Sequence, residues 1–251
     1  MKSGWWPAAI VGAVLGFATS VSAAELKVFC SNGLRAVMDE LAPQFERASG
    51  HKLAVSYGLA AAFKQQIEAG EPFDVVVVTP ALLDGMVKQG KVADADRAVI
   101  ARAGIGVAIR AGAARPDLTS TDAFKTTLRN AKSIAYAKAG QSGTYFTGLV
   151  ERLGLAEELK EKMRPQLTGV EVGTAVANGE VELAVLPISE IMPVKGAEVA
   201  GPLPAELQSY VVMAAGVSAA AKDHAAAAAL VKFLNAPEHM PVIKAKGMEP
   251  G

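Results

Sequence analysis

The chain has 251 residues, and its 25 Lys and Arg balance 25 Asp and Glu, so its formal net charge is zero at neutral pH. This balance, without a basic block, argues against nucleic acid and anionic membranes as partners. The single cysteine, Cys30, cannot form an internal disulfide. The fold must therefore depend on a hydrophobic core, which a chain of this length is able to bury.

The first 23 residues predict an export signal. Lys2 is followed by "WWPAAIVGAVLGFATSVSA", an apolar run that closes in small residues and offers Val21-Ser22-Ala23 as a cleavage site. The alternative is an uncleaved anchor, because the run approaches the length of a membrane span. Small rather than basic residues end the run, so we favour cleavage and predict that residues 1–23 are a signal peptide.

Strand and helix signals alternate in the next part of the chain. The segment "ELKVFC" predicts a strand, and the following helix has an apolar stripe made of Leu34, Val37, Met38, Leu41 and Phe45. Pro43 predicts that this helix is kinked or divided near Ala42. A strand "KLAVSY", a helix "AAFKQQIEAG", a buried strand "FDVVVVT" and a helix "PALLDGMVKQG" follow. This order predicts an open, mostly parallel sheet.

The second half predicts another α/β series between two extended crossings. The first crossing is "RAVIARAGIGVAIRAG" and the second is "LQSYVVMAAGVSA". Between them we expect strands at "SIAYA" and "ELAVLP", and helices at "SGTYFTGLVERLG", "AEELKEKM" and "GTAVANGEV". An alanine-rich helix, "DHAAAAALVKFLNAP", comes near the end. Two lobes joined in this way predict a cleft at the carboxyl ends of the strands.

Small hydrogen-bonding residues occupy the strand-to-helix turns that would face this cleft. Ser31-Asn32-Gly33 follows the first strand, and Ser142-Gly143-Thr144 opens a helix in the second series. The N-terminus of a helix is a ready anion site. The alternative is ordinary helix capping, which uses the same residue types. Two such turns, one in each lobe, leave capping and a shared anion site equally supported.

Other chemistries have weaker signals. The stretch "GQSGT" resembles a nucleophile elbow with Ser142 as nucleophile, but Thr144 stands where the last glycine belongs. The three histidines show no metal-ligand spacing, so we expect neither a metal nor a cofactor. Cys30 is expected to be a small buried hydrophobe. Arg35 is expected on a solvated face, although a carboxylate ligand could use it.

Three segments carry a resemblance to a known family. They are "VFCSNGLRAVMDELAPQFERASG", "SYGLAAAFKQQIEAGEPFDVVVVTPALLDGMVKQGKV" and "FLNAPEHMPVIKAKGMEP". With them the chain resembles the molybdate-binding branch of the periplasmic solute-binding proteins of ABC transporters. The resemblance implies the α/β, two-lobed type II fold, in which each lobe is a mostly parallel sheet flanked by helices. It places lobe I at 24–105 plus 212–251 and lobe II at 106–211, with two hinge crossings.

The resemblance also implies a function. The protein would capture a small anion in the periplasm and deliver it to a membrane permease, as a monomer and without catalysing a reaction. No cofactor and no nucleic acid would take part. Two alternatives stay open: a sensor component that hands the same ligand to a receptor, and an exported serine-dependent hydrolase that uses Ser142.

The resemblance carries over a ligand site in which hydroxyls and backbone N–H groups hold a tetrahedral oxyanion. Ser31 matches the family's first serine, whereas residues 58–61 lack the hydroxyls of its second serine turn, and Pro187 replaces a tyrosine. These departures keep the binding role but disfavour molybdate relative to a small organic carboxylate. The expected ligand-binding residues are Ser31, Asn32, Leu59, Ala60, Ser142, Gly143, Thr144, Tyr145, Pro187 and Ser189.

The export signal leads to a first prediction. Mass spectrometry of protein from the periplasm of the producing cells should show a chain that begins at Ala24 or within a few residues of it. The reason is that the small residues of the predicted cleavage site, Val21-Ser22-Ala23, end directly before Ala24. A full-length chain held in the membrane fraction would contradict the prediction of cleavage.

Overall fold

The computed structural model describes residues 23–251. The predicted signal peptide, residues 1–23, lies outside the described residues except for Ala23. Within the described part, no helix combines the length and apolar character that crossing a membrane requires.

The described residues form alternating strands and helices. The strands are β1 (Glu25–Ser31), β2 (Lys52–Gly58), β3 (Val75–Val78), β4 (Val92–Arg110), β5 (Ile134–Ala137), β6 (Met163–Gln166), β7 (Leu183–Pro187), β8 (Ala197–Pro202), β9 (Tyr210–Ser218) and β10 (Glu249–Pro250). The helices are α1 (Arg35–Ser49), α2 (Ala60–Glu68), α3 (Pro80–Lys88), α4 (Thr121–Asn130), α5 (Gln141–Arg152), α6 (Ala156–Leu159), α7 (Gly169–Asn178), α8 (Ile188–Ile191), α9 (His224–Leu234) and α10 (Met240–Ala245).

Two sheets share the long strand β4. In the first sheet, β1 lies between the parallel strands β2 and β3, and the antiparallel strand β9 connects β3 to β4. In the second sheet, β5 lies between the parallel strands β6 and β7, and β7 and β8 run antiparallel to β4. Residues 92–104 of β4 pair with β9, whereas residues 105–110 pair with β7 and β8. We propose that each sheet with its helices is one of the two predicted lobes.

Each sheet has apolar cores on its two faces. Strand β3 consists of four valines that are all fully buried, because helices or loops cover both faces of the first sheet. On one face Phe45 of α1 packs edge-on against Phe233 of α9, and on the other Phe29 stacks on Phe63 of α2. Phe124 and Phe146 are fully buried against the second sheet. Each sheet is therefore supported by apolar packing on both of its faces.

The predicted alternation of strands and helices is confirmed. Of the two outcomes predicted for α1 near Ala42, a kink or a division, the division is wrong. The helix runs unbroken from Arg35 to Ser49. Pro43 lies on its exposed face, so the carbonyl that loses a hydrogen-bond donor is able to face water. The buried stripe includes Val37, Met38, Leu41 and Phe45, as expected.

Several elements of the second sheet differ from the prediction. The segment "AEELKEKM" is helical only to Lys162, because Met163 begins β6. The helix predicted at "GTAVANGEV" begins four residues earlier, at Gly169, and ends before Gly179, whose φ of +77° belongs to the left-handed region. Helices α4 and α8 and strands β6 and β8 were not predicted. Strand β6, "MRPQ", has neither an alternating nor a continuous apolar pattern, so nothing in its sequence marks it.

The side chain of Gln208 forms hydrogen bonds that join the two crossings between the sheets, one at Ile105 and the other at Ser209. Its side-chain carbonyl accepts hydrogen bonds from Ile105 N–H at 3.0 Å and Ser209 N–H at 2.9 Å. Its amide nitrogen donates to the Ile105 carbonyl at 3.1 Å. Gly104 precedes Ile105, and a side chain there would come within 3.3 Å of the Gln208 amide. One side chain therefore joins both connections at the point where β4 changes partners.

These three hydrogen bonds predict the effect of Gln208→Ala. The free energy of unfolding should fall by about 1–3 kcal/mol. This is less than the sum of three hydrogen bonds, because the Ile105 N–H still donates to Ser209 and the Ile105 carbonyl still accepts from Leu203. Urea denaturation measures this change. Gln65→Ala, which removes an exposed glutamine of α2, is the matched control and should stay within about 0.5 kcal/mol of the parent. Equal effects of the two substitutions would contradict the role of Gln208.

Candidate functional site

The parallel strands of each sheet end in the turns that were predicted to bind a ligand. Ser31 is the last residue of β1, and its register partner on β2 is Gly58, so the turn after β2 begins beside it. The helix α5 follows β5, α7 follows β6, and α8 follows β7 in the second sheet. Because carboxyl ends of parallel strands meet at one edge of a sheet, each sheet presents a cluster of such turns.

Ser31 has the least ordinary environment of the predicted residues. Its side chain is 3% exposed, and its hydroxyl oxygen has no hydrogen-bond partner among the described residues. The chain continues as a 3₁₀ turn, Asn32–Leu34, which no side chain caps. The alternative role of Ser31 as a helix cap is therefore not realised. A buried hydroxyl without a partner costs about 1–3 kcal/mol, which makes it a candidate for contact with a ligand.

Ser189 connects the two sheets at this edge. Its hydroxyl donates a hydrogen bond of 3.2 Å to the carbonyl of Gly33, and both residues are buried. Ser189 belongs to α8 after the second sheet, whereas Gly33 belongs to the turn after β1. A side chain at Gly33 would come within 2.8 Å of the methyl group of Met213. Glycine at this position therefore lets α8 and β9 approach the turn closely.

A cavity of about 320 Å³ opens beside this contact, within the range of small-molecule sites. Residues from both sides line it: Asn32, Arg35, Ala36, Asp39, Gly169, Val170, Thr174, Ser189, Glu190, Pro193 and Val194. Of the ten predicted site residues, the lining includes Asn32 and Ser189. The start of α7, with Gly169 and Val170, was missed because its sequence "LTGV" carries only one hydroxyl and no family segment marks it.

Arg35 stands at the edge of the cavity rather than on a face remote from it. Its guanidinium lies 3.7 Å from the carboxylate of Asp39 and 4.6 Å from the centre of the Tyr57 ring. The Tyr57 hydroxyl donates a hydrogen bond to Asp39, and burial together with this bond raises the pKa of the tyrosine. The Arg35 side chain is 52% exposed, so it remains accessible to a ligand carboxylate.

Glu190 is the acidic residue on the opposite wall. Burial raises the pKa of its carboxyl to about 7. Within residues 23–251 this carboxyl has neither an ion-pair nor a hydrogen-bond partner. Sequence reasoning missed Glu190, because a glutamate after a strand is common and its burial depends on how α7 and α8 pack.

The helix α5 opens at the predicted turn, one residue earlier than expected, at Gln141. Gly140 is the N-cap, so Ser142 and Gly143 lie inside the helix, and both are buried. The Thr144 hydroxyl donates to the Gly140 carbonyl at 3.1 Å. The Tyr145 hydroxyl donates to the Leu207 carbonyl at 2.8 Å, next to the Gln208 contact. Contact of these four residues with a ligand stays a prediction.

The remaining predicted residues are apolar. Leu59 is the N-cap of α2, and Leu59 and Ala60 are partly buried. Pro187 is buried at the end of β7, where it pairs with Ile105 of β4. The neighbourhood of Ser31 and the β7 turn therefore offers carbon surface where the resembled family places hydroxyls.

The alternative of a serine hydrolase gains no geometric support. His51 lies at the amino end of β2, where its ring accepts a hydrogen bond from Ala24. His224 is 3.3 Å from Asp96, and His239 packs against Phe233. His51 lies just before β2, His224 begins α9, and His239 ends a short 3₁₀ turn before α10. In the described part of the chain, none of them hydrogen-bonds to Ser142 on α5.

Neither Cys30 nor a metal-binding cluster offers a reactive group in the described part of the chain. Cys30 is fully buried, and burial raises the pKa of its thiol, so it is the small hydrophobe that the sequence predicts. Among residues 23–251, no group of three or more His, Cys, Asp or Glu side chains is placed to hold a metal ion.

Comparison with known proteins assigns the family. The profile of the family described as "Bacterial extracellular solute-binding protein" matches residues 26–249. A protein named aconitate isomerase, from a Pseudomonas species, is 31% identical over 97% of this chain and 96% of its own length. The molybdate-binding protein ModA of Azotobacter vinelandii is 30% identical over 92% of each chain.

The fold agrees with this assignment. The solved structure of the periplasmic molybdate-binding protein of Azotobacter vinelandii superimposes with a TM-score of 0.76 at 21% identity, covering 90% of this chain and 99% of that one. The predicted two-lobed α/β fold class and the predicted family are both confirmed. The chain belongs to the bacterial extracellular solute-binding proteins and is a ModA-like member of that family.

Proposed function

We propose that this protein captures a small organic carboxylate between its two lobes and delivers it to the permease of an ABC transporter. The observation that carries the proposal is the buried hydroxyl of Ser31, which has no partner within the described residues and lies at the edge where the two sheets meet. Since an unpaired buried hydroxyl is costly, a ligand oxygen is its best candidate partner. The export signal predicted at residues 1–23 supports a periplasmic location.

A carboxylate suits the surroundings of Ser31 better than molybdate does. Leu59, Ala60 and Pro187 supply apolar surface, which favours a ligand with a carbon skeleton. Arg35 at the cavity edge offers a fork of N–H donors that matches carboxylate geometry. A relative that covers nearly the whole chain is named for its action on aconitate, an unsaturated tricarboxylic acid.

Capture would work by closure of the lobes. The Ser189–Gly33 hydrogen bond joins the two sides directly. A ligand that contacts both sides adds further bonds in the closed state only, and so shifts the equilibrium towards it. The crossings at Ile105 and Gln208 are the positions about which the lobes would turn. A permease, or alternatively a receptor, would then bind the closed form of the protein.

A second candidate function is isomerisation of the bound acid. The 31% identity to the protein named aconitate isomerase favours it, because that likeness extends over 97% of this chain. The prediction that the protein is not an enzyme therefore stays open to experiment.

The choice of ligand is tested by calorimetry with cis-aconitate, trans-aconitate, citrate and molybdate. We expect binding of at least one tricarboxylate and weak binding of molybdate. Without the hydroxyls at residues 58–61 and at position 187, about two hydrogen bonds to the oxyanion are lost. This loss weakens the free energy of binding by roughly 3–6 kcal/mol, or two to four orders of magnitude in affinity. Nanomolar affinity for molybdate, or no affinity for any of the carboxylates, would overturn the proposal.

Ser31→Ala tests the site itself. Tricarboxylate affinity should fall by about ten- to a hundredfold, since a hydrogen bond to a charged group contributes roughly 1.5–3 kcal/mol. The melting temperature of the free protein should not fall, because the hydroxyl has no partner among the described residues. Ser56→Ala is the matched control, an exposed serine of β2 whose loss should leave affinity unchanged. Unaltered affinity in Ser31→Ala would mean that the ligand binds elsewhere.

A further inference from the structure

Glu190 lines the cavity between α1 and α7. A side-chain carbon built on Gly169, at the start of α7, would lie 1.9 Å from one of its carboxylate oxygens. A side-chain carbon built on Gly33, in the turn after β1, would lie 3.8 Å from the other. The carboxyl group of Glu190, which belongs to α8, therefore lies between the start of α7 and the turn after β1. Only glycine at position 169 leaves room for it.

The charged groups that share the cavity with Glu190 are few. From α1, Arg35 and Asp39 line the opposite wall, where they pair with each other at 3.7 Å. The start of α7 brings the partial positive charge of a helix N-terminus. Against these, burial dominates and raises the pKa of Glu190 to about 7. Near neutral pH both its protonated and its ionised forms are therefore populated, as effective proton transfer requires.

We propose that Glu190 transfers protons to and from a carbon atom of an unsaturated carboxylic acid bound in this cavity. The proposal rests on the carboxylate site proposed above and names the substrate class: an acid with a CH₂ group between a carboxylate and a carbon–carbon double bond. Ser189 lines this cavity beside Glu190, and Asn32, the residue after Ser31, lines it from the other sheet, so an acid bound there would lie within reach of the Glu190 carboxyl.

The reaction is a 1,3-proton shift that balances without any other reagent. The ionised Glu190 takes a proton from the CH₂ carbon, so that one C–H bond breaks and an O–H bond forms. The electron pair forms a new double bond to the central carbon, while the old double bond accepts the proton from Glu190 at its far carbon. The double bond has then moved by one position, and Glu190 is ionised again.

Proton NMR of aconitate in D₂O tests this directly. With the parent protein we expect interconversion of cis- and trans-aconitate together with deuterium at carbon, at a rate that rises with pH and levels off above about 7, where Glu190 is ionised. Glu190→Gln should lower this rate at least a hundredfold, the contribution typical of general acid–base catalysis. Glu206→Gln, which alters an exposed glutamate of the second lobe, should leave it unchanged.

Calorimetry on the same variants separates the two proposals. Aconitate binding that survives in Glu190→Gln, with loss of exchange, supports the role of Glu190 and shows that the variant is folded. Binding by the parent without any exchange overturns the proton transfer and leaves the binding function in place. Exchange that persists in Glu190→Gln overturns the assignment of Glu190. No binding of aconitate or citrate to the parent overturns the carboxylate site and this inference with it.

Discussion

The arrangement of this protein depends on one strand that belongs to two sheets. Strand β4 pairs with β9 up to Gly104 and with β7 and β8 from Ile105 onwards. The return connection lies beside it, where Gln208 bonds to both backbone groups of Ile105. Because both connections pass this point, the parallel strands of each sheet are oriented with their carboxyl ends towards the other sheet's turns. The cleft is a consequence of this pairing.

The polar groups at the cleft divide into those that hold the structure and those that are free to act. Ser189, Thr144 and Tyr145 all donate to backbone carbonyls and so maintain the turns. Ser31 has its hydroxyl buried and unpaired within the described residues, and Glu190 has a half-buried carboxyl that faces the cavity and has no hydrogen-bond or ion-pair partner there. Such groups cost stability, and proteins retain them where they have a task. The ligand and the chemistry are therefore expected at these two residues.

Sequence reasoning located the framework because its signals are periodic. The four valines of β3 are typical of a buried strand, the apolar stripe of α1 is typical of an amphipathic helix, and Pro80 is typical of a helix start. It failed at β6, where "MRPQ" becomes a strand only through pairing with β5. Tertiary context, rather than local preference, decides such segments.

The candidate site was predictable only in part, for a similar reason. Ser31 was predicted because short hydroxyl residues follow a buried strand, whereas Ser189 was predicted only through the family resemblance, as backbone beside Pro187. Gly169 and Glu190 were missed, since their importance depends on the distance between α7 and α8, which no local pattern encodes. In the fold the hydroxyls of Thr144 and Tyr145 donate to backbone carbonyls, and their contact with a ligand stays a prediction.

We propose that a small carboxylate binds at the unpaired hydroxyl of Ser31 between the two sheets. A crystal structure of the protein grown with citrate or aconitate tests it most directly. We expect a ligand carboxylate oxygen about 2.5–3.0 Å from the Ser31 hydroxyl, with other ligand atoms in contact with residues of both sheets. A ligand bound elsewhere, with the Ser31 hydroxyl satisfied by the protein alone, would contradict it.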